Sequence, residues 1–175
     1  MTKKKPELKD CIRNIPDFPK PGILFRDITT LLKDNQAFKR ALDALVNKYK
    51  NKKIDKVAAV EARGFILGGA LAYRLGAGFV PVRKIGKLPW KTNSVTYELE
   101  YGTDTLEMHH DAISAGESVL IVDDLLATGG TVKAVTDLVK QLQGKIAGIA
   151  FLIELTGLKG KDKLKGYPVY SLIKY

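Results

Sequence analysis

Cysteine is almost missing: Cys11 is the single one in 175 residues. No internal disulfide and no cysteine-based zinc site can form, and a reducing compartment suits such a chain. Long apolar runs are missing too. None reaches the ~20 residues a membrane helix needs, so no membrane partner is expected. The opening MTKKKPELKD follows its lysines with no apolar core. No secretory signal is therefore expected, and the cytoplasm is the expected location. Histidine is scarce as well. His109 and His110 are adjacent, a poor spacing for sharing one metal on a strand or helix, and they read as surface residues. No internal repeat and no low-complexity linker is visible.

What is there describes a globular chain. Its length suits one domain, large enough to bury a core without staples. An apolar fraction of 45% excludes disorder. The net charge of +10, from 29 basic and 19 acidic residues, raises nucleic acid or a strongly anionic small molecule as a partner. The plainer reading is a solvated, lysine-rich surface. Lysines are scattered along the chain and dense only at Lys3–Lys5 and Lys48–Lys56, outside the motifs below.

Residues 6–26 hold Pro6, Pro16, Pro19 and Pro21. This opening should be mostly loop, packing down through Ile23, Leu24 and Phe25. After Asp34, NQAFKRALDALVNKYK sets Phe38, Leu42, Leu45 and Tyr49 at helical spacing. IDKVAAVEARG reads as a buried strand ending in a turn, and GFILGGALAYRLG as a small-residue helix closed by Gly76. GFVPVRK is a second strand and residues 116–122 a third. TVKAVTDLVKQLQG is a helix closed by Gly144, and IAGIAFLIEL a fourth strand. Apolar strands alternating with helices predict an α/β, doubly wound, mainly parallel sheet flanked by helices. NSVTYELEYGTDTLEM breaks the rhythm. It alternates around a Tyr-Gly turn, as a β-hairpin does, and is either a flap or an edge hairpin.

VLIVDDLLATGGT, residues 119–131, carries the chemistry. A buried strand runs into Asp123 and Asp124, then into Thr128, Gly129, Gly130 and Thr131 before a helix. Glycine amides and a helix N-terminus suit a phosphate. Adjacent carboxylates would repel that phosphate, unless the ligand also carries vicinal hydroxyls for them to accept from. A phosphorylated ribose has both. No Gly-Lys-Ser/Thr follows, so this is not a P-loop, and the G-x-G-x-x-G spacing is absent.

The same residues closely resemble the phosphoribosyl-pyrophosphate (PRPP) signature of the type I phosphoribosyltransferases. More narrowly, the chain from about Ile12 to Tyr175 resembles the adenine phosphoribosyltransferases. The likeness rests on PDFPKPGILFRDITTLL, EARGFILGGALAYRLG, RKIGKLPW, YELEYGTDTLEMHHDAI, the loop itself and LIELTGLKG.

The resemblance implies a single domain over 1–175, with an N-terminal base-binding hood at 1–34 and a flexible catalytic hairpin at 90–110. It assigns the 5′-phosphate to Ala127, Thr128, Gly129, Gly130 and Thr131, and the ribose hydroxyls to Asp123 and Asp124. Arg63, in the turn Glu61-Ala62-Arg63-Gly64, would bind pyrophosphate and count with the catalytic residues. The family commonly has a cis peptide between the positions matching Glu61 and Ala62. Arg83 and Lys87 would reach the pyrophosphate across a dimer interface. Glu100 would be the catalytic carboxylate, with Tyr101 beside it in the flap. Glu98, two residues away on the same strand face, is not separable from it by pattern. Leu24, Phe25 and Arg26 would form the adenine pocket. Mg²⁺ would be held mainly by substrate oxygens and water, so no metal residue is assigned.

Three functions compete on these grounds. The first is transfer of phosphoribose from PRPP to adenine by a homodimer that binds no nucleic acid. The second is the same chemistry on a 6-oxopurine, whose enzymes usually carry an aspartate where this chain has Ala127. The third is a PRPP-sensing, nucleic-acid-binding regulator.

Overall fold

A computed structural model of the protein describes residues 6–98 and 102–175. The chain forms two compact units, residues 1–44 and 45–175.

The first unit opens with a 3-10 turn at Leu8–Cys11. Strands β1 (Arg13–Ile15) and β2 (Phe25–Asp27) then pair antiparallel, Asn14 opposite Arg26 and Ile15 opposite Phe25. The rest of 6–26 is turn and loop, as expected; the short strand pair within it is the addition. Pro16, Pro19 and Pro21 lie between the strands and leave two three-residue segments free to pair. A short helix α1 (Thr29–Leu32) follows, then α2 (Asn35–Tyr49). Asp34 caps α2: its Oδ1 accepts from the amides of Gln36 at 2.9 Å and Ala37 at 2.8 Å. The deepest positions of α2 are Ala37, Ala41, Leu45 and Tyr49. The buried stripe thus lies one residue from the expected one at its N-terminal end, where Phe38 is only half-buried.

The second unit is built on a seven-stranded sheet. After β3 (Lys56–Val60), helix α3 (Arg63–Leu75) leads to β4 (Gly78–Lys84). Gly76 ends α3 in the left-handed conformation, at φ 66°. The hairpin β5 (Thr92–Glu98) and β6 (Thr103–His109) comes next. Then follow β7 (Ser118–Leu126), α4 (Gly130–Gln141), β8 (Lys145–Glu154) and β9 (Val169–Lys174). Strand order is β5-β6-β4-β3-β7-β8-β9. The pairs β3–β4, β3–β7, β7–β8 and β8–β9 are parallel, and β4–β6 and β5–β6 antiparallel. The expected doubly wound, mainly parallel sheet is what forms.

Three differences from the sequence reading have plain causes. β7 does not stop at Val122; it continues through the aspartates, with Asp123 opposite Phe151 and Leu126 opposite Glu154. Ladder bonds are made by the backbone, so a polar side chain does not end a central strand. β9, unassigned before, extends the sheet beside β8. The left-handed residue after α4 is Gln143, at φ 60°, rather than Gly144. Gly144 serves packing instead, since a Cβ there would lie 2.9 Å from Val139 Cγ1.

The two faces of β3 divide the core. Ala58 and Val60 join Ile121, Val135, Leu138 and Phe151 in the cluster under α4. Ala59 points the other way, against α3, where a Cβ on Gly68 would lie 2.4 Å from its own Cβ. Small residues in α3 therefore set its close approach to the sheet. β3 continues to β4 on one side, while β7 continues to β8 on the other. The order reverses between β3 and β7, and the carboxyl ends of those strands flank the crevice where doubly wound sheets take ligands.

Candidate active site

A cavity of about 590 Å³ opens at that switch point. It lies at the ends of two strands in register, whose last paired rung is Ala59 of β3 beside Val122 of β7. Past that rung, the turn after β3 supplies Glu61 and Ala62 and the first residue of α3 supplies Arg63, while β7 supplies Asp123 and Asp124. The peptide between Glu61 and Ala62 is cis, as the resemblance implied. Gly64 lets the start of α3 lie against β7: a Cβ there would stand 3.0 Å from Asp123 Oδ1 and 3.3 Å from the Val122 carbonyl oxygen.

Both aspartates are buried, Asp123 at 8% and Asp124 at 6% exposure. Asp123 Oδ1 accepts from the Asp124 amide at 2.8 Å. Asp124 Oδ2 pairs with Arg63 Nε at 2.7 Å. Burial, then the neighbouring Asp124 charge, pushes the Asp123 carboxyl well above the usual range; Arg63 opposes this. The site thus holds one carboxylate neutralised by a guanidinium and one that resists ionisation. Both stand ready to accept from a ligand's hydroxyls.

The phosphate-like loop follows β7. Ala127 and Thr131 line the cavity. Gly129, at φ 80°, is the N-cap of α4, and no side chain caps that helix end. Among the described residues the first amides of this twelve-residue helix therefore have no side-chain cap, the arrangement that receives an anion. Thr128 and Gly130 sit in the same turn.

Three polar cavity residues, Lys84, Tyr97 and Asp104, carry no role from the sequence. Lys84 Nζ pairs with Asp104 Oδ2 at 2.9 Å across the mouth. Each raises or lowers the other's pKa toward its charged form. Tyr97 of β5 accepts a long hydrogen bond, 3.4 Å, from Thr131 Oγ1. Hairpin alternation places Tyr97 on one face of β5, but not which face meets the loop.

Arg83 and Lys87 do not line this cavity. Arg83 Nε and Nη2 donate to Glu61 Oε2 at 3.1 and 3.0 Å, and its Nη1 donates to the Lys87 carbonyl at 3.1 Å. Glu61 Oε1 accepts from the Lys84 amide at 2.6 Å. Burial disfavours the charged Glu61, but the Lys84 amide and Arg83 outweigh it, so its carboxyl titrates below the usual range.

Leu24, Phe25 and Arg26 belong to the first unit. Phe25 meets Phe18 edge to face, ring centres 5.1 Å apart. Arg26 Nη1 donates to Asn14 Oδ1 across the β1–β2 pair. Leu24 is 47% exposed and Phe18 50%, so apolar surface is available there. Glu100 and Tyr101 lie outside the described residues; β5 and β6 lead to them from either side.

Among the described residues, no group of three or more histidine, cysteine or acidic side chains could hold a metal ion. Asp123 and Asp124 offer hard oxygens, but Asp124 already pairs with Arg63. That donor set fits a magnesium carried by substrate oxygens better than one held by a protein cage. No helix among the described residues is long and apolar enough to cross a membrane.

The family model for the phosphoribosyl transferase domain matches residues 29–173. The chain is 61% identical over 168 residues to the adenine phosphoribosyltransferase of Acidobacterium capsulatum, covering 96% of this chain and 93% of that one. It is 60% identical to that of Trichlorobacter lovleyi, covering 97% and 99%. The crystal structure of adenine phosphoribosyltransferase from Thermoanaerobacter pseudethanolicus superposes with TM-score 0.94 at 58% identity, covering 97% of this chain and 98% of that one. The Saccharomyces cerevisiae enzyme, complexed with adenine and an imino-altritol bisphosphate, gives TM-score 0.90 at 44% identity, covering 95% and 96%. A crevice at the switch point of the sheet, an acidic pair leading into an uncapped helix end, and likeness at this level along nearly the whole length have one explanation: the chain belongs to the adenine phosphoribosyltransferase family.

Proposed function

We propose that this site transfers phosphoribose from PRPP to adenine, giving AMP and pyrophosphate. The observation that carries the reading is the run from Asp123 to Thr131, in which a buried carboxylate pair leads directly into the uncapped N-terminus of α4. In this reading the loop amides and threonine hydroxyls hold the 5′-phosphate, and Asp123 and Asp124 hold the 2′- and 3′-hydroxyls. Arg63 binds the pyrophosphate, giving up its contact with Asp124.

N9 of adenine forms a bond to C1 of the ribose as the C1–oxygen bond to pyrophosphate breaks. The proton on the base's imidazole passes to Glu100, and the electron pair leaves with pyrophosphate. Positioning and charge stabilisation supply most of the rate. The sugar passes through an oxocarbenium-like state, so water must be kept out while the hairpin 90–110 covers the site. Asp123 and Asp124 would stand beside a magnesium carried on substrate oxygens, which would supply positive charge to the departing pyrophosphate. Phe25 stacks on the purine, and the backbone at Leu24 and Arg26 reads its Watson–Crick edge.

A homodimer goes with this reading. Ile66 and Tyr73 of α3, Phe79 of β4, and Ile85 and Trp90 around Lys87 are exposed, Tyr73 by 85%. Apolar surface of this kind, next to the basic loop, supports a second copy of the chain as partner. It would also bring Arg83 and Lys87 toward the neighbour's pyrophosphate. The single cysteine fits a cytoplasmic setting.

The test is a product assay. AMP should appear from adenine, PRPP and Mg²⁺, with hypoxanthine turned over far more slowly. Equal turnover of the two bases would favour the 6-oxopurine reading, against which Ala127 speaks. Tight, sequence-selective duplex binding that falls steeply with salt would favour the regulator.

A further inference from the structure

The loop between β4 and β5 carries Lys87, and its anchor is a residue the reaction does not use. Glu107 lies on β6, opposite Arg83 in the ladder, and is only 3% exposed. Its Oε1 accepts from the amides of Lys87 at 3.0 Å and Leu88 at 2.9 Å. Its Oε2 accepts from Thr92 Oγ1 at 3.2 Å.

The loop is a tight turn. The Lys87 amide also reaches the Lys84 carbonyl at 3.2 Å, and Gly86, at φ 78°, takes the left-handed position such a turn requires. The Lys87 carbonyl is held in addition by Arg83 Nη1 at 3.1 Å. Lys87 is therefore gripped at both of its backbone polar groups, by a carboxylate on one side and a guanidinium on the other. Arg83 is itself fixed by Glu61, beside the cis peptide of the active-site turn.

A buried carboxylate is stable only while its donors are in place. Burial disfavours the ionised Glu107, yet the amides of Leu88, Gly86 and Lys87 and the Thr92 hydroxyl outweigh it and hold its carboxyl below the usual range. Opening the loop would break the bonds from Lys87 and Leu88 to this carboxylate. One loop geometry is thereby enforced, and with it the place from which Lys87 departs.

We propose that Glu107 is a positioning residue for pyrophosphate: it shapes the 84–88 turn so that Lys87 meets the leaving group, and it touches no substrate. This rests on the reading of Lys87 as a pyrophosphate ligand.

The experiment measures dissociation constants for magnesium pyrophosphate and for AMP with the full-length protein. The variants are Lys87→Ala, Glu107→Ala, their double mutant and Thr92→Val. Lys87→Ala should weaken pyrophosphate selectively. Glu107→Ala should weaken pyrophosphate by about tenfold and leave AMP within about twofold, because only the former meets the loop. In the double mutant, pyrophosphate should bind no worse than in Lys87→Ala alone. Thr92→Val, which removes one bond and little volume, should weaken pyrophosphate by about threefold; it carries the test if Glu107→Ala does not fold.

Unchanged pyrophosphate affinity in Lys87→Ala would overturn the underlying assignment of Lys87. If Lys87→Ala is weakened, three results overturn the role of Glu107 itself. These are wild-type pyrophosphate affinity in Glu107→Ala or in Thr92→Val, equal weakening of AMP, and additive losses in the double mutant.

Discussion

Gly129 and Gly160 interlock. A Cβ on Gly129 would lie 2.4 Å from the Gly160 carbonyl oxygen, and a Cβ on Gly160 would lie 2.2 Å from the Ala127 carbonyl oxygen. The stretch after β8 thus forms the backing of the phosphate loop, and neither position has room for a methyl group.

The first prediction concerns that backing. Gly160→Ala must displace the loop, because its clash is with backbone. Affinity for PRPP and AMP should fall by about tenfold or more, while adenine binding is little changed. Calorimetric titration of the three ligands checks this, and equal losses for all three would refute it.

A second prediction separates stability from binding at Asp123. Its carboxyl titrates above the usual range, first because it is buried and then because Asp124 is charged. A carboxyl raised on folding stabilises the fold while protonated, and that contribution is lost as pH rises through its folded value. Asp123→Asn should therefore raise the melting temperature at neutral pH, by about 2–4 °C for each kcal/mol gained. The gain should fade below pH 4, where the wild-type group is neutral as well. PRPP affinity should fall in the same variant. Thermal melts across pH, with and without PRPP, measure both effects.

Tyr49 gives the alkaline counterpart. Its phenol, buried at the end of α2 and donating to the Ile149 carbonyl at 3.2 Å, is pushed up from 10.0 to about 12 by burial and then by Tyr170. Stability from this group is complete below its unfolded value and drains away as pH climbs toward 12, a swing of about 2–3 kcal/mol. Tyr49→Phe should cost about 1 kcal/mol at neutral pH, through the lost hydrogen bond. It should also flatten the alkaline limb of urea-derived stability between pH 9 and 11.5.

The fourth prediction tests the proton acceptor. Glu100→Gln should lower kcat by about a hundredfold or more, with PRPP affinity within about threefold. Glu98→Gln should retain most of the activity. Single-turnover assays of both variants separate these outcomes, and the reverse ranking would exchange their roles.

How far the sequence alone could reach depended on what kind of signal each element carries. The run from Val119 to Thr131 was legible because an apolar strand, two carboxylates and a glycine turn stand in contiguous order. The antiparallel pair β1–β2 was hidden by prolines that lie between its strands rather than in them. Glu107 was hidden for a different reason. Leu106 and Met108 join the core under α4, so alternation alone marks Glu107 as solvent-facing. In the fold, a loop far from it in sequence comes down over that face. Arg83 shows the same limit: its sequence gives a cation near the end of a strand, but not that Glu61 and the Lys87 carbonyl engage its guanidinium. Long-range partners of a polar side chain leave no local periodicity to read.

The contact between Arg63 and Asp124, 2.7 Å long, ties a cation and an acid that the proposed reading gives to opposite ends of one ligand. An isolated pyrophosphate arriving at the guanidinium would strip a buried acid of its counter-ion and offer nothing in exchange. An isolated sugar would ask that acid to share its attention with a cation still in place. In the proposed reading, a molecule bearing both ends would relieve both partners in a single encounter, so whole PRPP would bind more tightly than its separate fragments predict.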